Sequence, residues 1–191
     1  MRERRAMKLG VIYGILAAAF LSAQAPPPIF EQPLLVTSAG QSSGDAQIAL
    51  QLAKKAGLTA VLSKMAEGKD LESRKTLVLV LGASMKGMGS AGLDANKEKE
   101  RIRELLAEAK KKNVPVLAMH LGGEQRRGEL TDEIIGEFLP AAKMAVILKT
   151  GNADGLFTKI CKGKNIPLIE VEKSLDAVEP LKNLFKRSSS Y

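Results

Sequence analysis

The chain has 191 residues, of which 29 are Lys or Arg and 21 are Asp or Glu, so its formal net charge is +8. One cysteine and one histidine exclude an internal disulfide, a cysteine-rich metal site and any site built from two imidazoles. With 45% hydrophobic residues, a chain of this length can bury one substantial core. The basic excess raises nucleic acid or a membrane surface as partners.

The first 25 residues have the three-part layout of a secretory signal peptide. A basic start (Arg2, Arg4, Arg5 and Lys8) precedes the apolar residues 9–21, and Ala23-Gln24-Ala25 offers small residues to a signal peptidase. The apolar stretch is shorter than the ~20 residues that cross a bilayer. We therefore expect an exported bacterial protein, periplasmic or secreted, with residues 1–25 removed and a net charge of +5 on the remainder.

The cleavage position stays open, because cleavage after Ala25 would leave Pro26 at the first mature position. Cleavage after Ala19 or Ala23, or retention of the segment as an anchor, are the alternatives. We assign residues 26–33 to a linker, 34–185 to one α/β domain and 186–191 to a flexible polar tail.

The first half of the domain alternates apolar runs with one amphipathic segment. Residues 76–81 form the strongest run, and its continuous apolar character indicates a central parallel strand covered on both faces. The connection 63–75 is short and polar, with room for one helical turn. The patterns predict strands at 34–37, 59–62 and 76–81, and a helix at 45–56 that Gly57 ends.

The second half begins with a long helix from Asp94 to about Lys112. Its Lys and Arg residues (97, 99, 101 and 103) are interspersed with Glu residues (98, 100, 104 and 108), which indicates a solvated face rather than a nucleic-acid stripe. Thr131 is predicted to cap the next helix. Further strands are predicted at 114–121, 144–148 and 167–171, and further helices at 156–162 and 177–185.

Six strands alternating with five helical segments predict a single doubly wound, mostly parallel sheet. This is the flavodoxin-like or Rossmann-like three-layer sandwich of the α/β class. Strand orders that start 2-1-3 or 3-2-1 both fit, and we favour the first.

The expected site follows from this topology, because open parallel sheets bind ligands beyond the carboxyl ends of their strands. Those ends lead into four loops, at 38–44, 82–92, 120–128 and 150–155, and three of them are rich in glycine and small hydroxyl residues. Glycine lets the backbone approach a ligand closely. The predicted ligand-binding residues are Ser38, Gly40, Gln41, Ser42, Ser84, Lys86, His120, Gly122, Arg126 and Asn152.

The first loop resembles, in part, the hydroxyl-rich phosphate loop of flavodoxin-like proteins, with Ala39 where that pattern has its central Thr. The chain has no Trp, and Phe30, Phe138 and Phe157 are the few rings that could stack on a flavin. Neither this loop nor the loop with Lys86 has a Walker A or a Gly-x-Gly-x-x-Gly pattern. We therefore expect no cofactor; a small-anion pocket and an ordinary capped turn both remain open.

His120 is the only imidazole and ends a predicted central strand. It could contact a ligand, act in catalysis or be a structural histidine. Arg126 and Arg127 could pair with a carboxylate substrate or with neighbouring Glu residues. No ligand spacing indicates a metal site, and Cys161 is expected to be a small buried hydrophobe.

Four motifs resemble an uncharacterised family of small exported bacterial proteins that share a domain of unknown function. The resemblance covers most of 33–185 and implies export and a single α/β domain, without an activity. The motifs are LVTSAGQS (35–42), KGMGSAGLD (86–94), HLGGEQRRGEL (120–130) and GNADGLFT (151–158).

Together these observations predict an exported protein that binds a small anionic or polar metabolite, and they favour binding over catalysis. The alternatives are a hydrolase or transferase that uses His120 with Lys86 or Arg126, and an accessory protein that works through a surface patch. We expect no nucleic-acid partner, because no aromatic platform accompanies the basic residues. We also expect no stable membrane span after cleavage, and the oligomeric state is open.

Overall fold

The computed structural model describes residues 30–185, so the predicted signal peptide and the tail lie outside the described residues. Six parallel strands form one sheet in the order β2-β1-β3-β4-β5-β6, which confirms the predicted fold class and the favoured 2-1-3 start. The strands are β1 (Leu34–Ala39), β2 (Ala60–Leu62), β3 (Thr76–Leu81), β4 (Val116–His120), β5 (Met144–Leu148) and β6 (Leu168–Val171).

Helices alternate with the strands along the chain. Asp94 caps the long α3 as predicted, since its Oδ1 accepts a hydrogen bond from the Lys97 N–H at 2.9 Å. Short 3-10 turns fill several connections, including Gly68–Leu71 in the polar segment before β3. The α-helices are α1 (Ser43–Lys55), α2 (Met85–Ser90), α3 (Ala95–Lys111), α4 (Glu129–Phe138), α5 (Leu156–Lys164) and α6 (Val178–Leu184).

Strand β3 shows why the sheet is a middle layer. Leu77 and Leu79 pack with Ile102 of α3 in one apolar cluster, whereas Val78 and Val80 belong to a second cluster that contains residues of α1 and α6. Successive strand residues point to opposite faces, so a continuous apolar strand requires cover on both sides. The protein is therefore a three-layer α/β sandwich with a core on each face of the sheet.

Three local predictions were wrong. Met85–Ser90, expected to be loop, forms the short helix α2, which Ser84 caps. Helix α4 starts at Glu129 with Gly128 as its N-cap, so Thr131 lies inside the helix and its hydroxyl accepts a hydrogen bond from the Ala83 N–H instead. Glu98 is only 1% exposed, so the charged face of α3 is not wholly solvated.

The packed domain begins at Phe30. The Phe30 ring is buried against Phe185, with ring centroids 5.5 Å apart, and its N–H donates to the Leu184 carbonyl at 2.8 Å. Cys161 is free and 2% exposed within α5, as expected of a small buried hydrophobe. Across residues 30–185, no helix is both long enough and apolar enough to span a bilayer.

Candidate functional site

The strand order reverses between β1 and β3, because the chain leaves β1 for β2 on one side and returns to β3 on the other. The loops that follow β1 and β3 are joined by backbone hydrogen bonds from Gly82 N–H to Ala39 O and from Ser84 N–H to Gly40 O, at 3.0 and 2.8 Å. Gly40 has a φ of 101°, and a Cβ there would lie 2.6 Å from the Gly82 carbonyl oxygen. Only glycine fits this close approach.

A polar groove of about 380 Å³ lies at this point, and we call it the Gln41 groove. Three predicted site residues line it, namely Gln41, Ser84 and Lys86, together with Lys64 from the connection after β2. Both lysines are exposed, and neither forms an ion pair with a carboxylate in the described part of the chain. The groove therefore carries uncompensated positive charge beside hydroxyl and amide groups. Its remaining lining residues are Met65, Gly87, Ser90 and Ala91.

A buried ion pair between Glu98 and Arg101 fixes the position of Gln41 at the groove. Glu98 Oε1 accepts the Gly40 N–H at 2.8 Å, and the Gln41 side-chain amide donates to both Glu98 oxygens, at 3.3 and 3.2 Å. Arg101 donates to Glu98 and also reaches the Ser38 carbonyl at 2.7 Å. Because the Gln41 amide is held by these bonds and by the Lys64 carbonyl at 3.1 Å, its position is set before any ligand arrives.

Sequence reasoning missed Glu98, although a signal existed. Glu98 lies in helical register with Ile102, Leu105 and Ala109, the buried stripe of α3. A carboxylate in such a stripe needs partners, since an unpaired buried charge is costly. The alternation of charge along α3 hid this register, because it was compatible with a fully solvated face.

A second polar cluster joins the loops after β1 and β4. The Ser42 hydroxyl and Arg126 Nε both donate to Asp45 Oδ2, the latter at 3.1 Å. A Cβ at Gly122 would lie 2.1 Å from Arg126 Cγ, so glycine at that position makes room for the arginine. Three predicted residues, Ser42, Gly122 and Arg126, thus lie together, and Asp45 is the member that the sequence analysis did not single out.

His120 is fully buried beneath these loops. Its Nδ1 lies 2.9 Å from the Leu81 carbonyl oxygen and its Nε2 lies 3.1 Å from the Gly123 carbonyl oxygen. The ring also packs against Phe157, with centroids 5.2 Å apart. A neutral imidazole can donate to only one of two carbonyls at a time. Both ring nitrogens thus face backbone carbonyls, and the ring has no exposed surface.

The remaining predicted residues, Ser38 and Asn152, are buried away from the groove. Asn152 Oδ1 accepts the Phe157 N–H at 2.9 Å, and its amide nitrogen donates to Thr158 and to Glu170, so the side chain caps α5. The Ser38 hydroxyl is fully buried and has no hydrogen-bond partner among residues 30–185.

Arg127 ties the loops after β4 and β5 together. It donates to both oxygens of Asp154, at 2.9 and 2.8 Å, and to Asp132 at 2.6 Å. The bidentate pair lowers the pKa of Asp154 to about 2, mainly through hydrogen bonding to the guanidinium. The same bonds raise the pKa of Arg127 above its usual value. Arg127 is therefore committed to the fold, whereas the side chain of Arg126 is 43% exposed.

The described residues contain no group of three or more His, Cys, Asp or Glu side chains placed to hold a metal ion. What the carboxyl edge of the sheet offers is a groove with two exposed lysines and the Ser84 hydroxyl, while the N–H groups of the Gln41 amide are already used within the fold. The lysines and the hydroxyl suit recognition of an anion by charge and hydrogen bonds rather than by coordination.

The solved structures that are similar to the chain share little sequence identity with it. A mutant flavodoxin from Pseudomonas aeruginosa is 13% identical, with 79% of this chain and 97% of that chain covered and a TM-score of 0.38. A diflavin flavoprotein A3 from Nostoc sp. is 14% identical, with 84% and 92% covered and a TM-score of 0.39. A GDSL-like lipase from Bacteroides thetaiotaomicron is 12% identical, with 76% and 72% covered and a TM-score of 0.35. Similarity at this level supports no assignment of function.

Among curated proteins, none matches the sequence. A family model, by contrast, matches residues 31–185, which is almost the whole described domain. The chain belongs to the family described as Domain of unknown function (DUF6305).

Proposed function

We propose that the protein is an exported binding protein for a small anionic metabolite, which it holds in the Gln41 groove. The observation that carries the proposal is the pair of exposed lysines, Lys64 and Lys86, which line one groove at the strand-order reversal without carboxylate partners among the described residues. Ligands of doubly wound sheets bind at such reversals. A groove of about 380 Å³ falls in the size range of small-molecule sites.

The chemistry of the lining indicates the class of ligand. Two ammonium groups and the Ser84 hydroxyl, whose proton is free because its oxygen only accepts the Gly87 N–H, suit a carboxylate or a phosphate with further polar groups. Within the lining, Met65 supplies an apolar side chain, so a purely inorganic ion would leave part of the groove unused. A small organic acid or a phosphorylated metabolite fits these features best.

Binding is favoured over catalysis because the only histidine has no free face. A hydrolase or transferase that used His120 as a general base would need a ring nitrogen within reach of the substrate or nucleophile. Both nitrogens of His120 instead face backbone carbonyls, and the ring is 0% exposed. The hydrolase alternative therefore has weaker support than binding.

The test is a titration of the full chain with a panel of carboxylates, phosphates, sugar phosphates and uncharged sugars. Thermal shift identifies a ligand, because a compound that binds only the folded state raises Tm, and calorimetry then gives its Kd. We expect the double variant Lys64→Gln/Lys86→Gln to weaken binding of the best anion by about tenfold or more, a loss of at least ~1.4 kcal/mol.

The matched control is Lys97→Gln/Lys173→Gln, which removes the same charge from exposed positions outside the groove. The control should bind within about twofold of the original chain, well under ~1 kcal/mol. If no anion in the panel binds, or if both double variants weaken anion binding equally, the Gln41 groove is not the binding site.

A further inference from the structure

The two edges of the sheet carry very different charge. The segments that lead into the strands at one edge, at 31–33, 54–59, 72–75, 110–115, 142–143 and 162–167, contain ten Lys or Arg residues and two acidic residues, Glu31 and Glu72. We call these cations the basic edge. Its members are Lys54, Lys55, Arg74, Lys75, Lys110, Lys111, Lys112, Lys143, Lys162 and Lys164.

The opposite edge, where strands lead into helices, has no such excess. Its segments, at 40–45, 63–67, 82–94, 121–132, 149–155 and 172–177, contain six basic and nine acidic residues. The Gln41 groove belongs to this opposite edge. The positive charge of the domain is therefore concentrated on the edge that is remote from the proposed metabolite site.

The basic edge is solvated and largely uncompensated. All ten residues are exposed except Arg74, which is half-buried. In the described domain only Lys111 among them forms an ion pair, with Glu108 at 3.3 Å. Cations in the last turns of α1, α3 and α5 complement the helix dipoles. That effect does not account for Arg74, Lys75 or Lys143, which precede strands, nor for the near absence of acidic residues.

The chain enters the domain at this same edge. Phe30 and Phe185 contact each other, and the Lys75 N–H donates to the Pro33 carbonyl at 2.9 Å, so the described N-terminus lies beside the basic edge. The described chain therefore starts at the basic edge, whereas the Gln41 groove lies at the opposite edge of the sheet.

A groove of about 700 Å³ lies at the basic edge and adds apolar surface to it. Leu106, Val114 and Pro140 are among its apolar lining residues, and Lys110 and Lys143 line it with them. Glu137 also lines the groove, but its carboxylate pairs with Arg103 at 2.6 Å. Apolar surface flanked by lysines is the combination that interfacial binding to anionic lipid uses.

We propose that the basic edge docks on an anionic phospholipid surface, so that the Gln41 groove faces away from the membrane. This inference goes beyond the proposed metabolite site and does not depend on it, because the two surfaces share no residue. The interaction is electrostatic, so it weakens as salt shortens the Debye length.

The experiment is co-sedimentation of the full chain with vesicles of phosphatidylcholine alone and of phosphatidylcholine with about 30% phosphatidylglycerol. We expect stronger partitioning onto the anionic vesicles, and loss of that preference between about 0.05 and about 0.5 M salt. The apolar N-terminal stretch is present in both measurements. A difference in partitioning between neutral and anionic vesicles therefore reports the effect of lipid charge.

The decisive variant is Lys110→Gln/Lys112→Gln/Lys143→Gln, three exposed residues without ion pairs to described residues. Each basic residue near an anionic surface raises the partition coefficient roughly fivefold. The loss of three should therefore lower partitioning onto anionic vesicles by about tenfold or more. The control Lys97→Gln/Lys149→Gln/Lys173→Gln removes the same charge from the opposite edge and should change it by less than about threefold. Thermal melting verifies that both variants are folded.

Three results would overturn the proposal. They are equal partitioning onto neutral and anionic vesicles, an edge variant that still binds anionic vesicles normally, and equal losses in the edge and control variants. Duplex DNA measured at the same salt separates lipid from nucleic acid. DNA binding that is tighter than vesicle binding, and is lost in the edge variant, would reassign the basic edge to nucleic acid.

Discussion

Arg101 Nη2 donates to Glu98 Oε1 at 2.7 Å, and both side chains are nearly sealed from solvent, at 9% and 1% exposure. One helical turn of α3 thus places a charged pair under the loop that carries Gly40 and Gln41. The pair satisfies the Gly40 N–H and the Gln41 amide together, so the shape of the proposed site depends on a helix that contributes nothing to its surface.

Glu98→Gln should therefore destabilise the domain strongly. Removing one partner of a buried pair leaves the other charge uncompensated, and we expect a loss of about 3–5 kcal/mol in the free energy of unfolding. Urea denaturation measures it. Glu100→Gln is the matched control: Glu100 pairs with Arg103 at the surface at 3.1 Å, and its loss should cost about 0–1 kcal/mol. If Glu98→Gln and Glu100→Gln lowered the free energy of unfolding equally, the Glu98–Arg101 pair would not be buried in solution.

His120→Ala should act on stability rather than on ligand binding. The substitution empties a fully buried site beside Phe157 and removes the ring N–H that a backbone carbonyl accepts, so we expect a loss of about 3 kcal/mol in the free energy of unfolding. Denaturation gives the stability, and calorimetry with the best anion gives the Kd of the fraction that folds. A stable variant that lost affinity or a hydrolytic activity would instead assign His120 to the chemistry.

Gly122→Ala tests the cluster of Asp45 and Arg126. The new Cβ would lie 2.1 Å from Arg126 Cγ and 3.1 Å from Asp45 Oδ2, so the arginine must move and the loop must shift. We expect a destabilisation of about 1–3 kcal/mol in thermal or urea unfolding. Gly136→Ala in α4 is the opposite case, because nothing lies within 4 Å of its Cβ position. Alanine there should stabilise the helix by about 0.5–1 kcal/mol.

The pair of Arg127 and Asp154 predicts a pH dependence in the acid range. The pKa of Asp154 falls from 3.8 to about 2 in the folded protein, so the carboxylate contributes stability above pH 4 and loses it as the pH falls towards 2. Unfolding measured from pH 6 to pH 2 should show the original chain more stable than Asp154→Asn at pH 6, with the difference vanishing near pH 2. A difference that is independent of pH would contradict the assignment.

Cys161 should be unreactive in the folded protein. Burial raises the pKa of its thiol to about 11, and the side chain is 2% exposed, so both thiolate content and access are low. A thiol reagent at pH 8 should label the native protein slowly. In the urea-unfolded protein the same reagent should label one thiol per chain rapidly. Fast native labelling would show that α5 opens readily.

Much of the architecture could be predicted from hydrophobic patterning. The runs at 76–81 and 144–148 are apolar almost without interruption, and such strands are stable only inside a parallel sheet that is covered on both faces. Helix ends were predicted where one residue determines the local geometry, as with Asp94 before α3 and Gly57, whose φ is 79°, after α1. The prediction that Thr131 caps α4 was wrong, because its hydroxyl instead accepts the N–H of Ala83, which lies 48 positions away in the chain.

The candidate site could be predicted only in part. The topology placed the relevant loops at one edge, and Gln41, Ser84 and Lys86 do line one groove. His120 and Asn152 also lie at strand ends, yet their side chains point inward and form hydrogen bonds with the fold itself. Position along a strand indicates the edge on which a residue lies, but which way its side chain points depends on the neighbouring loops.

The sequence by itself determined the fold class, the edge that holds the polar loops and the residue types available for chemistry, because these depend on local periodicity and on composition. Only the tertiary structure decided which charges are used within the protein and which remain for a partner. Arg101 and Arg126 look alike in the sequence, but one pairs with a buried glutamate and the other is half exposed beside Asp45. Arg126 pairs with Asp45, which lies 81 positions away in the chain. Glu98 and Arg101 are only one helical turn apart, but their burial depends on the packing of the distant loop that carries Gly40 and Gln41.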